Sequence, residues 1–157
     1  RIGDSFRQRV RSISMNLMVG GHGFQTDTGG WPNDPLPGFE RVAKESEVTG
    51  RRHPARLFTF IDEREDSISF GIFGTPVLNG RSHLGGFVSI PSNYHGDGGN
   101  ILFADGHLDH RKWKDLRTNP PLVKGRKLPY QSHDPRIIAI GNPDAIWLSK
   151  RGRGLAD

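Results

Sequence analysis

The stretch NILFADGHLDH, from Asn100 to His110, constrains the fold more than any other part of the chain. In an extended strand Ile101 and Phe103 project to one side, and Leu102 and Ala104 to the other. Asp105-Gly106 follows at once and supplies the positive φ angles of a two-residue hairpin turn, so that Leu108 opens the return strand. The apolar side of such a hairpin must be covered. The strongest strand expected elsewhere is RLFTFI, Arg56 to Ile61, with aromatic and branched residues at alternating spacing.

Elsewhere the chain is heavily punctuated: 21 glycines and 11 prolines in 157 residues rule out long uninterrupted elements. Even so, 39 residues are Leu, Ile, Val or Phe, above the roughly 20% below which disorder is the default. A single domain over residues 1–157, folded but rich in loop, is expected. VRSISMNLMVGG predicts a strand over Arg11 to Val19, with Ile13, Met15, Leu17 and Val19 as its apolar set and Gly20-Gly21 as its end. His22 to Phe39 reads as a loop pinned by Phe24, Trp31 and Phe39. Glu40 to Val48 predicts a short helix that turns Val42 and Ala43 inward, Ile68 to Phe73 a short extended or helical turn, and Phe87 to Ile90 a strand stopped by Pro91. A last helix is expected after Asn142-Pro143, with Asn142 as N-cap, Pro143 in the first turn, and Ile146, Trp147 and Leu148 carried into the core. The fold class is therefore α+β, mainly antiparallel β.

The absence of cysteine excludes disulfides and thiolate chemistry. The net charge of +5 is spread over separate groups near Arg7, Arg51, Arg111, Lys124 and Lys150. No basic helix, stacking platform or zinc-finger spacing organises them, which points to a solvated cationic surface and away from nucleic acid. The sequence has no apolar run of membrane-spanning length, and its opening at Arg1 reads as part of a longer precursor.

The chemistry-bearing residues concentrate around the hairpin. His95 precedes it, and His107 and His110 stand beside Asp105 and Asp109. His107 and Asp109 share one strand face, and imidazole with carboxylate suits zinc, whereas oxygen ligands alone suit calcium. A two-zinc hydrolase built on Asp105, His107, Asp109 and His110 lacks its remaining ligands, because the residues after His110 hold only one further histidine, His133. Nucleophile elbows and phosphate-binding loops are missing as well.

His95, nine residues, then Asp105-Gly106 resembles the defining signature of the prepilin-type processing-associated domain, a family similar to type II secretion pseudopilins. Further segments resemble that family in order: RSISMN at Arg11, FTFIDEREDSI at Phe58, IPSNYHGDGGNILFADGH at Ile90, HRKWKDLRTNPP at His110 and NPDAIWL at Asn142. Family members begin with a prepilin leader and a long apolar helix, which this sequence does not contain.

The resemblance implies a pilin- or pseudopilin-like globular head without its long N-terminal helix. It implies a non-catalytic structural subunit of a type II secretion pseudopilus or type IV pilus-like filament. It also implies partners among other pilin or pseudopilin subunits, a leader peptidase acting on the precursor, and a cell-envelope or extracellular place with inner-membrane anchoring beforehand. One structural divalent metal, calcium or zinc, is a candidate by the same analogy. The shared polar residues Asp62, Glu63, His95, Asp105 and His107 are expected to meet as one buried cluster tying the hairpin to the central strand, so that His95→Ala lowers thermal stability markedly. The alternative is a surface polysaccharide-binding or adhesion module that uses exposed Trp31, Tyr94 and Trp113.

Overall fold

The computed structural model describes residues 12–20, 42, 44–68, 71–74, 89–122 and 141–155. The expectations for Phe24, Trp31, Phe39, Ala43, the Phe87 end of its strand and His133 lie outside the described residues. Five strands form one sheet: β1 (Ile13–Asn16), β2 (Phe58–Asp62), β3 (Ile72–Phe73), β4 (Gly98–Phe103) and β5 (Leu108–Lys112). Their order is β3-β1-β2-β4-β5, antiparallel throughout except for the parallel β1–β3 pair. Two helices accompany the sheet, α1 (Glu45–Arg51) and α2 (Pro143–Gly152). This is the α+β, mainly antiparallel class. Among the described residues no helix is long and apolar enough to cross a membrane.

The hairpin forms where expected, with a different turn. Gly106 N–H donates to Phe103 O at 3.0 Å, and Phe103 N–H donates to His107 O at 3.0 Å. Only Gly106 (φ 91°) has positive φ here, so Ala104, Asp105 and Gly106 make a three-residue loop with a glycine bulge in place of a two-residue turn. At the far end of β4 a Cβ on Gly98 would stand 2.3 Å from Arg111 O and 2.8 Å from His110 Nε2; only glycine lets β5 come this close.

The inner face of the sheet carries the core. Phe58, Ile61, Phe73, Ile101 and Phe103 pack with Ile90, Trp113 and the α2 residues Ala145 and Leu148. Phe58 meets Phe73 edge-to-face at 6.1 Å between ring centroids. Phe58 and Ile61 are three residues apart yet both point inward, because a bulge sets Phe58 opposite Phe103 and Phe60 opposite Leu102. The extra residue flips the alternation, and Phe60 ends up 41% exposed on the outer face.

β1 also departs from expectation. It spans Ile13–Asn16 only, and its inward residues are Ser14 and Asn16, not the apolar set. Asn16 is the reason. Its amide donates to Phe58 O at 2.8 Å and to Gly152 O at 2.9 Å, and its Oδ1 accepts Met18 N–H at 3.0 Å. One buried side chain thus joins β1, β2 and the end of α2. Val42 is buried but lies ahead of α1, bridged to Val19.

α2 starts as expected: Asn142 Oδ1 caps the N–H groups of Asp144 and Ala145 at 2.8 and 3.1 Å. It ends with Gly154 (φ 65°), Gly154 N–H donating to Arg151 O and Leu155 N–H to Lys150 O at 3.0 Å. Leu148 and Ala145 face the core, Trp147 is half-buried against it, and Ile146 points to solvent.

Candidate functional site

The five polar residues expected to cluster are distributed over three places. The first lies on the outer face of the sheet. Asp62, at the end of β2, accepts Asn100 N–H at 3.2 Å, and His95 Nε2 stands 3.7 Å from the same carboxylate. His110 Nε2 contacts His95 O at 2.7 Å. His95 therefore bends back over β4 as its loop position allows, helped by left-handed Gly96 (φ 62°) and Asp97 (φ 63°). Its side chain is 55% exposed, so the contact lies at the surface and is not a buried tie. His95→Ala is accordingly expected to cost less than about 1 kcal/mol, in contrast to the marked loss expected from sequence. Urea titration of the variant checks this, and a larger loss would restore His95 as a keystone.

The second place is the hairpin tip. His107 Nδ1 bonds Asp105 Oδ1 at 2.6 Å, and the His107 ring stacks on Phe103 at 4.3 Å. The hydrogen bond to His107 holds the Asp105 carboxyl below its ordinary value of 3.8. An aspartate-oriented imidazole is one half of a nucleophile-activating pair. Among the described residues no hydroxyl hydrogen-bonds to His107.

The third place is buried. Glu63 is fully enclosed and accepts hydrogen bonds from Ser14 Oγ and, at 2.9 Å, from Ser67 Oγ. Next to it Arg64, also fully enclosed, grips Asp66 with two bonds of 3.0 and 2.6 Å and donates a third to Pro120 O. Arg64 was not singled out from sequence; its sole signal was its place between two acidic residues at a strand end.

Zinc needs about four ligands and calcium six to eight oxygens. Among the described residues no group of three or more His, Cys, Asp or Glu side chains could hold a metal ion. Asp109 and His110 diverge from the Asp105–His107 pair: Asp109 pairs with Ile101 on the inner face, His110 with Asn100 on the outer. Among the described residues these donors occur as pairs.

Of the candidate aromatics, Tyr94 is exposed, and its hydroxyl accepts Glu65 N–H at 3.0 Å. Trp113 is not an exposed ligand platform. It is 6% exposed, sits in the core and donates from Nε1 to Ser92 O at 2.6 Å. Trp147, a tryptophan not among these candidates, is half-buried, with the Arg111 guanidinium 3.9 Å and that of Arg151 5.5 Å from its ring centroid.

One feature of the outer sheet face was not resolved from sequence into residues. The register aligns Ile72, Met15, Phe60, Leu102 and Leu108 as directly paired neighbours across all five strands. They form an apolar row beside the polar row of Asp62, Asn100 and His110, and Leu108 at its end is 68% exposed. Five strands at about 4.8 Å spacing make this row roughly 19 Å long. No protein-family model, curated protein or solved structure matches the chain.

Proposed function

We propose that this chain is the globular head of a pseudopilin-like filament subunit, a part that works by packing and does no chemistry. The observation that carries the reading is the apolar row Ile72–Met15–Phe60–Leu102–Leu108 on the outer sheet face, where Phe60 and Leu108 are exposed. An amphipathic helix covers such a row well, since 19 Å corresponds to about 13 residues of α-helix. In the precursor that helix is the long apolar N-terminal segment implied by the family resemblance. It would anchor the precursor in the inner membrane, be processed by a leader peptidase, and then pack among other subunits in the envelope.

The segments that carry the resemblance support the same reading, because their polar residues do structural work. Asn16 joins β1 to β2 and α2; Glu63 binds Ser14 and Ser67; Arg64 binds Asp66; Asp144 binds the chain that leaves β5. A fold held by such internal pairings needs no substrate to explain them.

Without the covering helix, the isolated 157-residue chain is expected to self-associate through the bare row. Phe60→Ser with Leu108→Ser should return it to a monomer in sedimentation velocity while its melting temperature stays close to the parent's. A parent chain that is monomeric at high concentration would count against the row as a docking face. On the native protein, Edman sequencing and mass should place an apolar helix upstream of Arg1; a mature form without one would sink the filament reading.

A further inference from the structure

We infer that the solvent face of α2 is a docking surface for an anionic lipid bilayer, distinct from the outer sheet face and independent of the filament reading. The surface is built from both ingredients that a bilayer interface selects: exposed apolar side chains and cations around an indole.

The apolar part is Ile146 at 42% exposure and Leu155 at 40%, with half-buried Trp147 between them. Ile146, Trp147, Lys150 and Arg151 recur at three- and four-residue spacing, so they share the one side of α2 that Ala145, Leu148 and Ser149 do not turn into the protein. Leu155 joins them because the left-handed Gly154 folds the chain back, and Leu155 N–H donates to Lys150 O at 3.0 Å.

The cationic part surrounds the indole. Arg111 reaches over Trp147 from β5, Arg151 from α2 itself, and Lys150 stands beside them. At the same helix end Arg52 Nη1 donates to Arg153 O at 2.5 Å, and burial together with the nearby Arg52 charge lowers the Arg153 guanidinium from its ordinary value. The fold thus brings cations from three segments to one corner, although like charges repel there. Asp144, fully buried, lies 3.5 Å from Arg111 Nη2.

Two other anionic partners suit the corner less well. A nucleic acid would use the indole as a stacking platform, but Arg111 lies over that ring at 3.9 Å. An acidic polysaccharide offers nothing to Ile146 and Leu155. A bilayer uses the whole set, with the aliphatic side chains and indole at the acyl boundary and the guanidiniums among phosphates.

The test uses the purified 157-residue chain with sedimenting vesicles of pure phosphatidylcholine, or of phosphatidylcholine with 30% phosphatidylglycerol. Binding to the anionic vesicles alone is expected, at about fivefold in affinity per basic residue engaged. Lys150→Glu with Arg151→Glu should weaken it at least 20-fold, and Ile146→Ser several-fold, with folded circular dichroism spectra retained. Lys112→Glu and Phe60→Ser, whose side chains lie on the outer sheet face, should change binding less than twofold. Equal binding to neutral vesicles would overturn the inference. So would equal losses from Lys112→Glu and Arg151→Glu, or displacement of the protein from vesicles by substoichiometric DNA or dextran sulfate. Failure here would leave the filament reading standing, since that reading rests on Phe60 and Leu108.

Discussion

Replacing Arg64 by Ala is expected to destabilise the domain by about 3–5 kcal/mol, the usual result of removing one member of a buried ion pair. Arg64 is fully enclosed, and its guanidinium is divided between the two oxygens of Asp66 and the carbonyl of Pro120. Alanine removes all three bonds at once and leaves the Asp66 carboxylate buried without its counter-charge. It also releases the 120 region, which this one side chain ties to the end of β2. For a chain of this size the loss corresponds to a fall of roughly 10 °C in melting temperature, measurable by circular dichroism. Replacing both partners, Arg64→Met with Asp66→Leu, should recover much of it, because neither buried charge then remains. A single variant within about 1 kcal/mol of the parent would show that the pair is solvated and that Pro120 is held by other means.

What the sequence makes legible here follows from how local each signal is. The β4–β5 hairpin and the start of α2 are specified by adjacent residues, Asp105-Gly106 and Asn142-Pro143, and both form at the expected places. The faces of β1 and β2 are set by distant partners, which local alternation does not register. Ser14 and Asn16 turn inward because Glu63, Phe58 O and Gly152 O await them there, so apolar Ile13 is displaced to the outside at 51% exposure. In β2 a bulge against Leu102 reverses the alternation after Phe58, and Thr59 Oγ1 donates to Leu102 O at 3.1 Å within it. Alternation alone cannot reveal a bulge.

The histidine–aspartate residues show the same limit. Their proximity in sequence suggested one cluster, yet β-pairing sends Asp109 and His110 to opposite faces and leaves Asp105–His107 at the tip. The outer apolar row was equally hidden. Its five members come one from each strand, and only the strand order β3-β1-β2-β4-β5 puts them in line.

Asp144 should be nearly as sensitive as Arg64: Asp144→Ala is expected to cost about 3–4 kcal/mol. A single oxygen, Oδ2, accepts Lys114 N–H at 2.8 Å, Asp115 N–H at 2.9 Å and Thr118 Oγ1 at 3.1 Å. Bonds to an ionised acceptor are the strong ones, each worth about 1.5–3 kcal/mol before compensation. The other oxygen lies 3.5 Å from Arg111 Nη2 and opposes the burial that lowers that guanidinium from its ordinary value. The carboxylate also stands in the first turn of α2, where the helix dipole favours negative charge.

Alanine would therefore leave two backbone donors unpaired, strip Arg111 of its counter-charge and loosen α2 from the chain that leaves β5. Asp144→Asn keeps an acceptor for the two amides while removing the charge, so it should cost roughly half as much. Hydrogen exchange distinguishes this from a general loss of stability. The Lys114 and Asp115 amides should speed up in the alanine variant well beyond what its global unfolding allows, and stay protected in the asparagine variant. If both amides exchange at the parent's rate in the alanine variant, the link between β5 and α2 does not run through this carboxylate.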